Sequence, residues 1–342
     1  LAQFLEYLES GERDPEEITF MEPQAGGACR AGNIYNLLQR VLYRMVEQGQ
    51  LEYAQIPVIS LNLMGEEKHT GFRITPSLLS GGIAAGCYGD LIMCLYQQVK
   101  PYEQNPGETD RIRSQVEKKL CESIRRHRNG RHTREKNYRY ACEVFSKVPV
   151  KPGKKKRVGI TGEIYMKYSK LGNDDIESFL LRQGMEPYSG GFINYCLYLV
   201  DTERYKAEKY QRNPIMAKAC AFVLHRLCEA QKHLLTVIGE TDRFQTDLPF
   251  PELKEKVQGI LAEGCNTGDG WLIAAEVIQY VEKGCGSVLI LHPFGCLVSH
   301  VCERGILQRL HARFPDVSIQ TIEYDYDQSK TLRESRILLG IS

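Results

Sequence analysis

The side chains best equipped for chemistry in this 342-residue chain are its twelve cysteines, since a thiolate can ligate soft metals or act as a nucleophile. They are scattered, and no CxxC occurs, whereas structural zinc sites usually draw on close-spaced pairs. A secreted disulfide scaffold would be shorter and denser in cysteine, so the thiols read as reduced. In open parallel sheets ligands bind in loops at the carboxyl ends of strands, which ranks the cysteines by position. Cys29 lies in the glycine loop GGACRAGN, Cys296 in HPFGCL directly after the apolar run SVLIL, and Cys265 in GCNTGDGW, a loop that opens a helix. Small residues around all three let the backbone approach an inorganic cluster closely. Three loop thiolates far apart in sequence suit an iron–sulfur cluster with one open iron, able to take a substrate oxygen. Cys87, in GCYGD, is the reserve ligand. Cys87 with Cys94, and Cys220 with Cys228, fall on helical stripes and read as core, while Cys121, Cys142, Cys196, Cys285 and Cys302 have no distinguishing context.

Other signals are weaker. Gly159–Glu163 (GITGE) resembles a phosphate-cradling turn but lacks the GxGxxG and GxxxxGK[ST] spacings, and a tight strand-to-helix turn capped by Glu163 explains it as well. His292 and His300 flank Cys296, where either could hydrogen-bond a cluster sulfur. Glu323, Asp325 and Asp327 end a strand and resemble a magnesium site, although charges at a helix N-terminus account for them better. No GxSxG elbow, HExxH or EF-hand loop occurs.

Strands and helices alternate along the chain to position these loops. The sequence predicts strands at Ile18–Pro23, Ile56–Asn62, Arg157–Ile164, Ser287–Pro293 and Val317–Asp325. Helices are expected at Asn33–Glu47, Gly81–Val99, within Thr109–Phe145, near Asp174–Gln183, across Glu203–Val237, and at Pro251–Leu261, Trp271–Lys283, Val301–Phe314 and Leu332–Leu339. That order predicts an α/β fold of two parallel-sheet, flavodoxin-like or Rossmann-like domains with helical additions. The boundary is expected at Val148–Lys156, VPVKPGKKK, giving domains over residues 1–150 and 151–342. Loops carrying Cys29 and Cys296 are then expected to face one cleft.

Composition bounds the reading. Hydrophobic residues are 42% and charged residues 25%, which excludes wholesale disorder. The apolar runs fall short of the roughly 20 residues of a membrane span. Starting at Leu1 without methionine or signal peptide, the chain reads as a cytoplasmic fragment of a longer protein. Net charge is +1, yet Arg111–Arg157 holds 17 Lys and Arg against 4 Asp and Glu. Such a stretch can attract an acidic protein or a polyphosphate, or be a solvated helix face. No zinc-finger spacing, RNP motif or aromatic stripe supports nucleic-acid binding.

The segments CRAGNIYNLL, IPVISLN, CYGDLIMCLYQQVKPYE, RVGITGEIYMKYSKLGN, GDGWLIAAEVI, HPFGCLVSHVCERG and IEYDYDQSKTLRESRILL, in that order, together resemble one family. It is the C-terminal, dehydratase-like region of the large activase-related proteins of 2-hydroxyacyl-CoA dehydratases, related to double-cubane cluster proteins. The resemblance implies an iron–sulfur cluster, of 4Fe-4S or double-cubane type, that accepts a low-potential electron from an ATP-dependent activase. It implies ATP only through an activase domain not present in this chain, and a small-molecule or acyl-CoA substrate. A homodimer is compatible with it. Cys29 and Cys296 match cysteines of the family's CRA and PFGC motifs, whereas Cys265 precedes the GDGWL motif without being required by it. Val298-Ser299 departs from the family's usual Pro-Asn. A non-catalytic electron-transfer or scaffold module, docking an activase and a client enzyme through the basic stretch, is the alternative. A CoA- or nucleotide-binding domain without metal is a third reading.

Overall fold

A computed structural model of the chain describes residues 7–8, 10–11, 14, 17–23, 30–49, 56–61, 75–325 and 327–341. The chain divides into two compact units, Leu1–Arg73 and Ile74–Ser342. In the first, strand β1 (Phe20–Pro23), helix α1 (Ile34–Glu47) and strand β2 (Val58–Leu61) form a β-α-β element. The strands pair in parallel, Phe20 opposite Val58 and Pro23 opposite Leu61. Leu8, Ile18, Leu42, Ile56 and Val58 make this unit's small core.

The second unit is mixed α/β, with one four-stranded parallel sheet in the order β4-β3-β5-β6. Its strands are β3 (Arg157–Gly162), β4 (Glu186–Tyr188), β5 (Ser287–Pro293) and β6 (Ser318–Tyr324). Apolar β-branched runs make β3 and β5 central strands, buried on both faces as helix-covered parallel strands are. The period of two sorts their side chains: Val288, Ile290 and Ile319 enter the main core, while Leu289, Leu291 and Ile322 face the other way. Helix α2 (Pro76–Val99) and the helices α3 (Glu108–Arg125), α4 (Arg131–Ser146), α7 (Phe192–Lys209), α8 (Pro214–Gly239), α9 (Phe250–Glu255) and α10 (Gly270–Glu282) contribute to that main core. The opposite face carries α5 (Ile164–Tyr168), α6 (Ile176–Arg182) and α12 (Lys330–Ile341), and α11 (Arg304–Arg313) precedes β6. Twelve α-helices thus occur among the described residues.

The structure therefore has one four-stranded sheet and one two-stranded pair, with the unit division at Arg73–Ile74. Residues 148–157 lie inside the second unit, where the Lys151 amide donates to the Tyr102 carbonyl at 2.7 Å and Glu103 bridges Val150. Helix α2 begins five residues before its expected start, because Thr75 accepts from the Leu78 amide and Pro76 takes the first helical position, where a missing N–H costs nothing. One helix among the described residues, Pro76–Tyr102, is long and apolar enough to cross a membrane; its Leu91, Leu95 and Val99 are packed into the main core.

In the basic stretch all four acids are paired along their own helices, Arg113–Glu117, Arg126–Glu122, Arg139–Glu135 and Lys147–Glu143. Exposed pairs of this kind are screened by solvent and add little to stability.

Candidate functional site

The carboxyl ends of β3 and β5 turn sharply, and glycine makes both turns feasible. Gly162 closes β3 at φ +130°, with the Leu291 backbone where a Cβ would stand. The chain then enters α5, whose first turn is capped by Glu163 accepting from the Met166 amide at 3.0 Å. The GITGE segment is thus a capped strand-to-helix turn. At the end of β5, the Phe294 amide donates to the Tyr324 carbonyl at 2.8 Å, and Gly295 takes φ +73°. Cys296 follows, half-buried, with a π-helical turn over Ser299–Glu303.

The GCNTGDGW loop folds against that turn. A Cβ on Gly268 would stand 2.6 Å from Val298 Cγ2, so Val298 packs directly on the Gly268 backbone. The loop closes on itself as the Trp271 amide donates to the Cys265 carbonyl at 2.9 Å. Cys265 is half-buried, and its thiol is within electrostatic reach of Cys302. Cys296 also acts on Cys302, so two expected ligands both bear electrostatically on one cysteine without sequence context. Burial raises the Cys302 pKa first, with Cys265, Glu303 and Cys296 raising it further. Burial likewise pushes Cys296 up, opposed by hydrogen bonds from Ser299. The Ser299 hydroxyl has one proton for two acceptors, Cys296 Sγ at 3.2 Å and Glu303 Oε1 at 2.7 Å.

Carboxyls surround these thiols. Glu303 is 1% exposed, and burial pushes it up to about 8, helped by Glu163 and opposed by Ser299 and Arg304. Asp269 is raised well above an ordinary aspartate by burial and by Glu163, Glu303 and Glu276. Glu276 in α10 is itself balanced by Lys167 Nζ at 2.8 Å and by the Thr161 hydroxyl at 2.5 Å. Buried carboxyls that cannot all ionise together are proton reservoirs.

The remaining expected residues fall elsewhere. Cys29 lies outside the described residues. Cys87 sits in the interior of α2, fully buried in the main core, and burial pushes its thiol up to about 11. Asp325 accepts from the Asp327 amide, and Ser329 rather than an acid caps α12, accepting from the Leu332 amide at 3.2 Å. One residue from each of three neighbouring segments makes a second constellation: ligand atoms of His292, His300 and Glu323 all lie within 4.8 Å of one another. Among the described residues no other three His, Cys, Asp or Glu side chains converge so closely. No family model, curated protein or solved structure matches this chain.

The Cys302 neighbourhood escaped sequence reasoning because its spacing of six from Cys296 belongs to no ligand pattern.

Proposed function

We propose that this chain is an iron–sulfur protein of the 2-hydroxyacyl-CoA dehydratase/activase type. It accepts a low-potential electron from an ATP-dependent activase in the cytoplasm and passes it to a small molecule or acyl-CoA. Its two units correspond, on this reading, to parallel-sheet elements of flavodoxin-like or Rossmann-like character. The observation that carries the proposal is that Cys296, after the turn at Gly295, and Cys265, in the loop packed on Val298, both act electrostatically on Cys302.

The donor set agrees with such a cluster in chemical kind. Zinc–sulfur bonds of about 2.3 Å would bring thiolates around one ion to roughly 3.8 Å from each other, and no three thiols among the described residues converge within 4.8 Å. In an iron–sulfur cluster each cysteine binds its own iron, so the sulfurs stand farther apart. Cys296 would be the principal ligand, with Cys265 and Cys302 beside it. When bound, the cluster would supply one-electron chemistry at a potential set by hydrogen bonding and burial. Ser299 bears on that setting, since it can donate to the Cys296 sulfur or to Glu303, and Glu303 can hold a proton at neutral pH.

Anaerobic purification with iron and acid-labile sulfide counted per chain tests the reading. Iron and sulfide are expected to be present together and lost in Cys296→Ala; Cys29→Ala tests the family-type ligand in the same assay. An iron-free chain from strictly anaerobic preparation refutes the proposal. The alternative of a non-catalytic docking or scaffold module draws on Arg111–Arg157, whose four acids are already paired, leaving an excess of 13 positive charges. That alternative predicts salt-dependent binding to an activase and no turnover by the reduced protein.

A further inference from the structure

The constellation of His292, His300 and Glu323 is separate from the thiols and is built by the sheet register. His292 on β5 lies directly opposite Glu323 on β6 in the parallel pairing, so both side chains leave the sheet at one level. His300 reaches the same place from the π-helical turn, its ring 5.4 Å from that of His292 at 79°. A π-helical turn inserted at such a point often marks a functional site.

The hydrogen bonds and ion pairs orient these groups toward one point. His300 Nδ1 lies 2.8 Å from the Cys296 carbonyl, which can only accept, so Nδ1 carries the proton. Its Nε2 therefore turns toward Glu323 Oε2 at 3.3 Å. Two acceptors do not face each other at that distance without a proton or a cation between them. The His292 ring is 0% exposed. Its Nδ1 lies 3.9 Å from Glu323 Oε2 and 3.4 Å from the Pro293 carbonyl, and its Nε2 has no hydrogen-bond partner.

We propose that His292, His300 and Glu323 form a binding site for a divalent first-row transition ion, zinc in the first instance. Bonds of about 2.0–2.2 Å at tetrahedral angles place zinc ligands roughly 3.3–3.5 Å apart. The observed 3.3 Å and 3.9 Å need only a small closure to reach that spacing. Two imidazoles and a carboxylate match the composition of open, three-ligand zinc sites, and they disfavour magnesium and calcium, which prefer all-oxygen shells. The Nδ1 bond from His300 to a carbonyl is the support that metal-bound histidines characteristically have. Arg304 donates to the same oxygen, Glu323 Oε2, at 3.1 Å, a bond that a carboxylate oxygen with two lone pairs can keep while it faces the ion. His300 and Glu323 are partly exposed, at 36% and 20%, so the ion has an entry path and room for a water or an anionic ligand.

The test is titration of the full reduced chain with zinc against a chromophoric chelator, repeated with cobalt to read the ligands from its absorption. One zinc per chain is expected. His300→Ala and Glu323→Gln should each weaken binding about 100-fold or more, beyond the roughly 10–100-fold that loss of a supporting hydrogen bond costs. Because His292 is buried and its replacement can disturb folding, the two partly exposed positions carry the test. Cys296→Ser should leave zinc affinity essentially unchanged, since the bond to His300 comes from the Cys296 backbone. Absence of zinc binding overturns the proposal, and so does wild-type affinity in both His300→Ala and Glu323→Gln. A cobalt spectrum with thiolate charge transfer that disappears in Cys296→Ser overturns it as well. Iron-free protein from anaerobic purification would remove the cluster reading and leave this experiment intact.

Discussion

Replacing Glu303 by glutamine should flatten the pH dependence of stability by an amount that follows from its position. The carboxyl is 1% exposed beside Glu163, and its pKa is about 8 when folded against an ordinary 4.5. Between those values the folded chain holds a proton that the unfolded chain has lost. Stability contributed by this group therefore falls as pH rises through that window, and the full penalty is present above about pH 8. At about 1.4 kcal/mol per pH unit the penalty is on the order of 5 kcal/mol. Glutamine keeps an oxygen for the Ser299 hydroxyl but cannot ionise, and any fixed cost of its amide is the same at every pH. Urea unfolding of both proteins, with thiols kept reduced, at about pH 5 and about pH 9 gives the comparison. The variant should gain on the wild type by several kcal/mol between the two conditions. A wild-type-to-variant difference that is equal at both pH values refutes the reasoning, because Glu303 would then ionise alike in both states.

Gly162→Ala should cost about 3 kcal/mol or more, read as a fall in the urea midpoint, because φ is +130° and the new Cβ meets the Leu291 backbone. Glu276→Ala should cost about 3–5 kcal/mol by leaving Lys167 charged and buried, both side chains being 3% exposed in the wild type. Pairing it with Lys167→Met should recover much of that loss, and an equally unstable double variant would show that volume rather than charge decides. Cys220→Ala with Cys228→Ala, on α8 and away from the sheet edge, should leave iron and sulfide content unchanged in anaerobic protein, in contrast to Cys296→Ala.

Strongly patterned segments were legible one by one. SVLILHP is β5 from end to end, since an apolar run bounded by Gly286 and Phe294-Gly295 has few other options. The three residues of β4, one of them proline, carry no strand signal and become a strand only by pairing with β3. The stretch expected to be helical over Glu203–Val237 is two helices, and the local signal was present: Asn213 accepts from the Met216 amide and Pro214 opens α8. The VPVKPGKKK segment has a linker's composition, yet its backbone pairs with Tyr102 and Glu103 some fifty residues earlier. The site divides the same way. Strand-end position singled out Cys296 and Cys265, whereas the Cys302 neighbourhood and the pairing of His292 with Glu323 depend on a π-helical turn and a cross-strand register that no local pattern contains.

The electrostatics of the sheet edge bear on how any metal would be taken up there. Thiols bind metals as thiolates, yet burial and the neighbouring Glu303 hold Cys296 and Cys302 in the protonated form. Loading them must therefore release protons, and the incoming positive charge would lower the pKa of Glu303, Asp269 and Glu163 at the same time. Uptake would be favoured by rising pH through both effects. The His292–His300–Glu323 set differs in part, because burial already disfavours the charged form of His292 and no thiol has to be deprotonated there. The two constellations share the Cys296 loop but present different donor atoms and different proton demands. A soft cluster and a borderline single ion would thus be sorted by chemistry rather than by distance.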